Sequence, residues 1–409
     1  MVERIDVAVI GGGQAGLATS FELSRAGIDH LVLERDRVGS SWRGRWDSFC
    51  LVTPNWTVRL PGGAYEGDDP DGYLLRDDIV GHLERYARSF HAPVREGVLV
   101  TSLRPSDDDA FAIETSDGEI RSKAVVVSTG AYPRPHRPRG AETLPADLTQ
   151  LDAQTYRNPG SIPSGRVLVI GSGQTGCQIA DEVRSSGREV VLACGRAPWV
   201  PRRIGEYDAV WWAAETGYLD QPVTALPEPE ARLAANLQAT GRAGGYDLHY
   251  RTLRASGVTL VGHFLGAEGW RARFAPDLAD CVAWGDERLR QTMELVRNLV
   301  DERGMPMPEV PEPPPFDPAA PEDMDLSDVG AVIFAGGYRP DYGWIEVPGA
   351  FDALGFPLHV EGISTVARNL GFVGVHFLRK RKSSLFYGVG EDAAIVVGQI
   401  AARLGAPTR

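Results

Sequence analysis

Apolar and polar positions follow the same order in two separate stretches of the chain. Residues 4–10, "RIDVAVI", form a short run of branched apolar side chains, which is typical of a buried parallel strand. Residues 17–27 have apolar positions at helical spacing and end at a glycine, and residues 30–36 predict a second strand. The second copy comprises residues 166–170, 177–187 and 189–194. We therefore predict an α/β fold with two Rossmann-like dinucleotide-binding domains.

A glycine-rich turn joins strand and helix in both copies. "VIGGGQAG" spans residues 9–16 and "VIGSGQTG" spans residues 169–176, and both have the spacing G-x-G-x-x-G. The first glycine permits a tight turn, the second lets the backbone approach a pyrophosphate, and the third allows close packing of helix on strand. The helix N-terminus adds free N–H groups and a partial positive charge for the phosphates. These glycines are Gly11, Gly13 and Gly16 in the first copy and Gly171, Gly173 and Gly176 in the second.

The two copies differ where their second strand ends. Glu34 ends the first copy, where a carboxylate accepts hydrogen bonds from a ribose diol. Cys194 has the equivalent position in the second copy, and Arg196, Arg202 and Arg203 follow it. Loss of the acid and gain of arginines favour a ribose that carries a 2′-phosphate. The first site therefore suits FAD and the second suits NADPH, so that a hydride passes from one bound cofactor to the other.

Composition and charge narrow the class of protein. A chain of 409 residues fits two or three domains, and a net charge of −13 argues against nucleic acid or an anionic membrane as the main partner. No apolar run is long enough to cross a bilayer, and the first residues lack the basic segment of a signal peptide. The four cysteines have neither disulfide-framework nor zinc spacing, and the histidines show no metal-ligand spacing. We expect a cytoplasmic protein without a metal site.

Strand ends and a crossover define the predicted domain boundaries. An apolar run ends at "STG", residues 128–130, and residues 329–341, "VGAVIFAGGYRPD", repeat that theme. A Pro- and Arg-rich crossover follows the first of them and is a natural domain boundary. The predicted organisation is a first FAD-binding part at residues 1–160, an NADPH-binding domain with a helical insertion at 161–327, and a C-terminal FAD-binding part at 328–409.

With these motifs assembled, the chain resembles the class B flavoprotein monooxygenases, the group of flavin-containing monooxygenases and their Baeyer–Villiger relatives. The resemblance covers nearly the whole length. It rests on the two glycine motifs, on "STG", on "AGGYRPD" at residues 335–341 and on "GVGEDA" at residues 388–393.

One motif of that family is degenerate here. Between its nucleotide sites the family carries F-x-G-x-x-x-H, followed four residues on by Tyr or Trp. Tyr156 matches the aromatic position, whereas Ala146, Leu148 and Asp152 replace Phe, Gly and His. Asn55, in "TPNW", resembles the asparagine that the family has beside the flavin. The resemblance therefore implies Asn55, Asp152 and Tyr156 as catalytic candidates.

The motifs and the resemblance also imply a set of cofactor-binding residues beyond the six motif glycines. They are Gln14, Ala15, Glu34, Arg35, Trp42, Arg43, Val100, Thr129, Gly130, Ser172, Gln174, Thr175, Arg196, Arg203, Gly337, Tyr338, Gly388, Gly390 and Asp392.

The resemblance implies an NADPH-dependent FAD monooxygenase. Such an enzyme inserts one oxygen atom from O2 into a small organic substrate, at nitrogen, at sulfur or in a Baeyer–Villiger reaction, through a flavin C4a-(hydro)peroxide. Asp152 in place of His leaves a flavin reductase or oxidase without oxygen insertion as the alternative, and a non-catalytic NADPH-binding or redox-sensing protein as a third hypothesis. The expected partners are the substrate and O2, with a homodimer left open. "RKRK", residues 379–382, is either a solvated loop or a phosphate contact.

Overall fold

The protein is described by a computed structural model that covers residues 2–106, 110–310 and 312–405. The first and the last predicted domain parts include residues 1 and 406–409, which lie outside the described ranges. The α-helices are α1 Gln14–Arg25, α2 Ser40–Arg43, α3 Arg76–Ser89, α4 Gln174–Ser185, α5 Ala209–Glu215, α6 Tyr250–Ala255, α7 Leu278–Arg303 and α8 Val389–Leu404.

Most of the strands are short and lie in two separate sheets. They are β1 Glu3–Ile10, β2 His30–Glu34, β3 Arg59–Leu60, β4 Gly63–Ala64, β5 Val94–Glu96, β6 Val100–Pro105, β7 Phe111–Thr115, β8 Gly118–Val127, β9 Arg134–Pro135, β10 Gln150–Asp152, β11 Arg166–Ile170, β12 Val190–Ala193, β13 Arg203–Ile204, β14 Tyr207–Asp208, β15 Thr259–Val261, β16 Phe264–Glu268, β17 Arg271–Phe274, β18 Asp323–Asp325, β19 Val329–Phe334, β20 Tyr338–Arg339, β21 His359–Val360, β22 Ile363–Ser364 and β23 Leu370–Phe372.

The first sheet has nine strands and carries the first glycine motif. Its order is β21-β22-β23-β8-β1-β2-β5, and β6 and β7 extend it through antiparallel pairing of β7 with β8. β1 is parallel to both neighbours, β2 and β8. Val7 and Val9 of β1 pack on one face of the sheet, and Ala8 and Ile10 pack on the other. A strand buried on both faces needs a continuous apolar run, which explains the apolar character of residues 4–10.

The second sheet carries the second glycine motif and is fully parallel. Its order is β10-β19-β11-β12-β15. Val167 and Val169 of β11 face the layer that contains α4, whereas Leu168 and Ile170 face the antiparallel sheet of β16, β17 and β18. Both predicted βαβ units are therefore present, and the predicted α/β fold with two dinucleotide-binding domains is confirmed.

Backbone pairing differs from the predicted boundaries at residues 160 and 328. β10 and β19 lie outside the predicted range of the second domain, yet both pair within its sheet, with Gln150 opposite Val332 and Asp152 opposite Phe334. β19 in turn pairs with β11. Sheet membership therefore gives residues 150–152 and 329–334 to the second domain, because the hydrogen bonds of these strands have their partners there.

The ribbon of β9 and β20 and the basic segment 379–382 are among the contacts that join the domains. β9 and β20, which follow the two strand-end motifs, pair as an antiparallel ribbon. The basic segment 379–382 packs against the insertion of the second domain, where Lys380 and Lys382 contact Asp220 at 2.6 and 3.0 Å. Lys382 also pairs with Glu391 and is buried. The segment is therefore an interdomain contact rather than a solvated loop, and its lysines are already paired.

Candidate functional site

The first glycine motif forms an open cradle between β1 and the N-terminus of α1. A Cβ atom on Gly11 would lie 2.5 Å from the carbonyl oxygen of Ser128, and one on Gly16 would overlap the carbonyl oxygen of Gly11. Gly11 has a φ of 109°, which side chains rarely permit. By contrast, no heavy atom of the described residues lies within 4 Å of a Cβ on Gly13, the N-cap of α1. The space above Gly13 is therefore free for a pyrophosphate, which the helix N-terminus attracts.

The buried carboxylate of Glu34 closes this cradle at the end of β2. Its Oε2 accepts a 2.6 Å hydrogen bond from the N–H of Gly12. Its Oε1 accepts hydrogen bonds of 3.0 Å from the N–H of Asp36 and from the hydroxyl of Ser40. These bonds hold the carboxylate at the strand end where dinucleotide folds bind a ribose diol.

Trp42 and Gln14 connect the first cradle to the C-terminal part of the chain. The indole N–H of Trp42 donates to Oε1 of Gln14 at 2.7 Å, and Nε2 of Gln14 donates to the carbonyl of Ser384 at 3.0 Å. Trp42 also stacks on Phe386 with ring centroids 5.6 Å apart. Ala15 is buried at the start of α1. These predicted cofactor-binding residues thus share one wall of the cradle.

The N-terminus of α8 brings a second acid to the first domain. Asp392 is almost fully buried, and its Oδ1 accepts a 3.0 Å hydrogen bond from Arg379. Its Oδ2 has no hydrogen-bond partner among the described residues, and burial raises the pKa of the carboxyl. Gly388 precedes the helix, and a Cβ there would overlap the carbonyl of Lys382. The unpartnered oxygen of Asp392, the unpartnered buried hydroxyl of Ser128 and the open cradle together fit a bound polar cofactor such as FAD.

Three of the predicted contacts have other partners or neighbours among the described residues. Arg35 and Arg43 form ion pairs with neighbouring acids on the outside of the first domain. Val100 begins β6, whereas Val98 donates its N–H to the carbonyl of Glu34 at 2.9 Å. Val98 is therefore the residue that lies beside the carboxyl end of β2, since the chain has already turned away at Val100.

The two strand-end motifs lie against the two cradles. The backbone of Thr129 approaches Gly11, and no heavy atom of the described chain lies within 4 Å of a Cβ on Gly130. Gly337 and Tyr338 follow β19 of the second sheet, and the carbonyl of Gly337 accepts the N–H of His136 at 2.9 Å. Thr129 and Gly130 thus border the first cradle, while Gly337 and Tyr338 lie on the ribbon between the domains.

The second glycine motif repeats this backbone geometry. A Cβ on Gly171, which has a φ of 105°, would lie 2.5 Å from the carbonyl oxygen of Ala335. One on Gly176 would overlap the carbonyl oxygen of Gly171. Gly173 is the N-cap of α4, and a Cβ there would lie 3.3 Å from the Cβ of Ala235 and 3.9 Å from its Cα. The partly exposed residues that open α4 are Gln174 and Thr175.

Ser172 holds the loop that follows β12. Its hydroxyl lies 2.5 Å from the hydroxyl of Tyr250 and accepts the N–H of Gly195 at 2.8 Å. Its carbonyl accepts Nε2 of Gln238 at 2.8 Å. Because the side chain is directed into the protein, a contact of Ser172 with a cofactor is left to its backbone.

The three arginines that follow β12 have different surroundings. Arg196 is exposed and forms no hydrogen bond or ion pair with the part of the chain that the structure describes. Arg202 is buried, pairs with Asp208 and donates to the carbonyl of Val52 at 2.9 Å. Arg203 lies in the β13–β14 hairpin and donates to the carbonyl of Glu206. Only Arg196 is therefore both free and at the carboxyl end of β12.

Asp152 and Tyr156, two of the three catalytic candidates, form contacts that hold the fold. Asp152 accepts two hydrogen bonds of 2.9 Å from Arg137. Tyr156 is fully buried and donates its hydroxyl to Oε2 of Glu182 at 2.8 Å, while the hydroxyl of Ser48 donates to Oε1. Burial and the neighbouring Glu182 raise the pKa of Tyr156. Glu182 of α4 thus binds both Tyr156 and Ser48. The buried side chain of Tyr156 exposes no group to a ligand.

Asn55, the third candidate, closes a loop of the first domain. Its side-chain nitrogen donates to the carbonyl of Asp69 at 2.9 Å, and its side-chain oxygen accepts the N–H of Leu74 at 2.7 Å. Asn55 is buried in a 3-10 turn, whereas Asp152 ends β10 and Tyr156 lies in the turn that follows it. The structure therefore does not join the three candidates in one site.

A cluster of polar and aromatic groups lies between the domains, and sequence reasoning largely missed it. Ring centroids are 5.3 Å apart for Tyr132 and Tyr338 and 6.0 Å apart for Tyr132 and His376, and the guanidinium of Arg45 lies 5.9 Å from the Tyr132 ring. Tyr338 Oη, His376 Nδ1 and Arg45 Nε are buried and have no hydrogen-bond partner among the described residues. Burial, with help from nearby arginines, lowers the pKa of His376 to about 4, so its ring is neutral at pH 7.

We call these four residues the interdomain cluster. Tyr132 follows β8, Tyr338 follows β19 and His376 follows β23, so three of them lie beyond the carboxyl ends of strands from both sheets. Ligands of open α/β sheets bind at such strand ends. In the sequence, Tyr132 follows "STG" and Tyr338 follows "AGG", and this placement could have indicated the two tyrosines. No sequence pattern indicated Arg45 or His376.

Comparisons with known proteins agree with this geometry. Residues 8–208 match the family description of the pyridine nucleotide-disulphide oxidoreductases. An uncharacterized CzcO-like oxidoreductase of Geobacillus kaustophilus is 30% identical over 402 residues, which cover 98% of this chain and 99% of that protein. The indole-3-pyruvate monooxygenase YUCCA4 of rice is 28% identical over 227 residues, covering 50% of this chain and 51% of that protein.

Solved structures give the same fold. A flavin-containing monooxygenase from Stenotrophomonas maltophilia superimposes with a TM-score of 0.68 at 19% identity. The match covers 98% of this chain and 100% of that chain. Among the described residues, no helix is both long and apolar enough to cross a membrane.

Proposed function

The chain belongs to the CzcO-like oxidoreductases, which are similar to the class B flavoprotein monooxygenases, and from this premise we propose that it is an NADPH-dependent FAD monooxygenase of a small organic substrate. An oxidoreductase that uses a flavin and a nicotinamide cofactor is what the family supports in general. The choice of FAD and NADPH, the insertion of oxygen and the roles of residues below are our proposal.

One observation carries the proposal: the two glycine cradles lie in one structure on either side of the interdomain cluster. A single cradle would serve a dehydrogenase that acts directly on its substrate. Two cradles whose sheets present their strand ends to the same cluster support transfer of hydride between two bound cofactors. Once bound, the flavin would supply the chemistry itself, accepting hydride and using O2 as the oxygen donor.

The protein's own residues would bind and orient the two cofactors. The N-termini of α1 and α4 would hold the pyrophosphates, above Gly13, where the structure leaves space, and beside Gly173, where Ala235 lies at the edge of the cradle. Glu34 accepts hydrogen bonds from the FAD ribose, and Arg196 pairs with the 2′-phosphate of NADPH. The remaining predicted cofactor contacts on the walls of the first cradle would exclude water from the redox partners.

The interdomain cluster is the proposed place for the substrate. Tyr132 and Tyr338 offer aromatic faces for an organic molecule, and the hydroxyl of Tyr338 and Nδ1 of His376 are free to hydrogen-bond it. Because His376 is neutral, it neither attracts nor repels charge on the substrate. A cytoplasmic location and a homodimer stay predictions.

The visible spectrum of the purified protein tests the proposal. We expect a yellow protein whose flavin bands bleach on anaerobic addition of NADPH and return in air. With labelled dioxygen and a panel of amines, thioethers and ketones, one labelled oxygen atom should enter a product. A protein that is purified colourless and does not take up FAD would contradict the proposal.

A flavin reductase or oxidase without oxygen insertion is the second candidate. The observation that favours it is Asp152, which stands where the family has histidine and is bound by Arg137. Rapid bleaching by NADPH, followed by reoxidation that releases hydrogen peroxide and leaves no label in any compound of the panel, would identify this activity.

A further inference from the structure

Three side chains that can ligate a metal meet at one corner of the second domain. His263 follows β15, Asp277 is the N-cap of α7, and Cys281 lies one turn further along that helix. One ligand atom from each of the three lies within 4.8 Å of the other two. Nδ1 of His263 is 2.6 Å from Oδ2 of Asp277 and 3.7 Å from Sγ of Cys281. Imidazole, carboxylate and thiolate are the groups that bind Zn²⁺ in proteins, so the chemistry of this cluster points to a cation.

The backbone around the cluster directs the carboxylate of Asp277 towards the imidazole. Although Asp277 is the N-cap of α7, its side chain caps no N–H of that helix in the described structure. Its Oδ1 instead accepts the backbone N–H of His263 at 3.0 Å. Gly262 makes room for this contact, because a Cβ there would lie 2.4 Å from Oδ1. Oδ2 is thereby placed where it can share a cation with Nδ1.

The distances suit the tetrahedral shell of Zn²⁺. With Zn–N bonds of about 2.0–2.1 Å and Zn–S bonds of about 2.3 Å, two ligand atoms of such a shell lie about 3.4–3.6 Å apart. The 3.7 Å between Nδ1 and Sγ is already close to that separation. The hydrogen bond between Nδ1 and Oδ2 would open by about 0.8 Å as the cation replaces the proton between them. The ring then keeps its proton on Nε2, in the neutral tautomer.

The thiol of Cys281 decides the class of cation. Sulfur ligands favour thiophilic transition metals, whereas Mg²⁺ and Ca²⁺ take oxygen ligands. Cys281 is buried, and burial raises the pKa of its thiol to about 12. Binding would therefore form the metal–sulfur bond and release the thiol proton to the buffer. Among the charges that act on this thiol, Asp277 and Asp280 outnumber Arg196, which favours a dication.

We propose that His263, Asp277 and Cys281 bind one thiophilic divalent cation of the Zn²⁺ class through Nδ1, Oδ2 and Sγ, with water as the fourth ligand. The side chains of His263 and Asp277 are 48% and 31% exposed, so the cation can enter from solvent while Cys281 holds it from the interior. The site goes beyond the proposed function and does not depend on it. No local spacing indicated it, because 14 residues separate His263 from Asp277 and the fold brings them together.

Binding of Zn²⁺ to the metal-stripped, full-length protein tests the site. Competition with a chromophoric chelator should give one Zn²⁺ per chain with a Kd below about 10 μM. Mg²⁺ at about 1 mM should not compete, since it avoids sulfur. Co²⁺ should give the d–d bands of a tetrahedral thiolate site, at longer wavelengths than flavin absorption.

Substitutions of the three ligands should weaken binding strongly. Loss of a group that only supports a ligand costs about 10–100-fold in metal affinity, so we expect Cys281→Ser and His263→Ala to raise the Kd at least about 100-fold. Asp277→Asn should raise it at least about tenfold. Asp280→Asn is the matched control, because it neutralises an exposed carboxylate of α7 beside Cys281 that supplies no ligand. It should change the Kd by less than about threefold.

Thermal unfolding without metal shows which variants fold. His263→Ala alters a half-exposed side chain, so it serves as the test if Cys281→Ser does not fold. A Kd above about 10 μM for the unmodified protein, an unchanged Kd in His263→Ala, or competition by Mg²⁺ would overturn the inference. Failure of the proposed function would look different, because a protein that takes up no FAD would still give these metal affinities.

Discussion

The two glycine cradles share a backbone and differ in the side chains around it. In both, a Cβ on the first glycine would lie 2.5 Å from a carbonyl oxygen of a neighbouring strand end, Ser128 in one case and Ala335 in the other. In both, a Cβ on the third glycine would overlap the carbonyl oxygen of the first. Under the proposed function, the backbone of the turn would therefore set the position of the pyrophosphate in both cradles.

The ends of the second strands are where the cradles diverge. In the first, the carboxylate of Glu34 accepts the N–H of Gly12. In the second, the hydroxyl of Ser172 accepts the N–H of Gly195, and Arg196 beside it has no partner in the described chain. The comparison teaches that the same backbone turn is combined with an acid at one strand end and with a free arginine at the other, and under the proposed function this group would select the ribose that is bound.

The largest expected effect comes from the third glycines. We expect Gly16→Ala to lower the affinity for FAD at least about 100-fold, since any side chain there overlaps a carbonyl of the turn. Gly176→Ala should retain its bound flavin, and the rate at which NADPH reduces that flavin should fall to a similar extent. Absorbance of the purified variants and stopped-flow bleaching measure the two losses. Gly398→Ala is the control, because Gly398 is an exposed position of α8 where a Cβ would have no heavy atom of the described residues within 4 Å, so flavin content and reduction should both be retained.

The same experiment would reveal the opposite arrangement, in which the second cradle binds FAD and the first binds NADPH. A colourless Gly176→Ala variant, or a Gly16→Ala variant with full flavin content, would contradict the order of cofactors that we propose.

Substitution of two arginines that follow β12 should separate an effect on the free energy of unfolding from an effect on the preference for NADPH over NADH. Arg202→Met leaves the carboxylate of Asp208 buried without its partner, and we expect it to lower the free energy of unfolding by about 3–5 kcal/mol. Arg196→Ala should change that free energy by less than about 0.5 kcal/mol and reduce the preference for NADPH over NADH about tenfold. Urea denaturation and KM values for both nucleotides check the two outcomes. Similar preferences in Arg196→Ala and the unmodified protein would count against the proposed 2′-phosphate contact.

Two tyrosines offer a smaller contrast between fold and site. Tyr156→Phe removes the hydrogen bond to buried Glu182, so we expect a loss of about 1–2 kcal/mol in the free energy of unfolding and an unchanged rate per folded molecule. Tyr338→Phe removes a hydroxyl that has no partner among the described residues, so stability should be retained while kcat/KM falls. A loss of rate in Tyr156→Phe at full folding would restore its predicted catalytic role.

The mildest effect at neutral pH concerns buried histidines of both regions. Burial lowers the pKa of His249 in the second domain, and of His359 and His376 in the first, to about 4 from the ordinary 6.5. Between these values the unfolded chain binds more protons, so stability is full above about pH 6.5 and is lost as the pH falls towards 4. The midpoint of thermal unfolding should therefore drop by several degrees over this interval.

A substitution that removes the imidazole should flatten this pH dependence. We expect His376→Asn to reduce the slope and His91→Asn, at an exposed position, to leave it unchanged. An equal slope in both variants would contradict burial as the cause.

Periodicity and glycine spacing predicted the two βαβ units well, because such signals are local. β1 and α1 are where the run of apolar residues and the glycine turn indicated, and the resemblance to the flavoprotein monooxygenases is confirmed. The domain boundaries were harder to predict. The segments 150–152 and 329–334 are too short to indicate their sheet, and only pairing with each other and with β11 assigns them.

The positions of the candidate residues were predictable only where a residue belongs to a motif, and their roles stay predictions. Glu34 and Arg196 stand at fixed distances from a glycine turn, so their position follows from the chain. The family motif suggested Tyr156, yet a contact with Glu182 buries it completely. His263 had no signal at all, because its neighbour Gly195 is far away in the chain and is brought close by strand pairing.

The amino-acid sequence by itself determined two glycine turns, the helices they open and the charge at each strand end, since each depends on neighbours a few residues away. The tertiary structure alone decided which arginine stays free, which tyrosine is buried and which groups meet between the domains. Those outcomes depend on long-range packing, where burial either pairs a polar group within the protein or leaves it for a ligand.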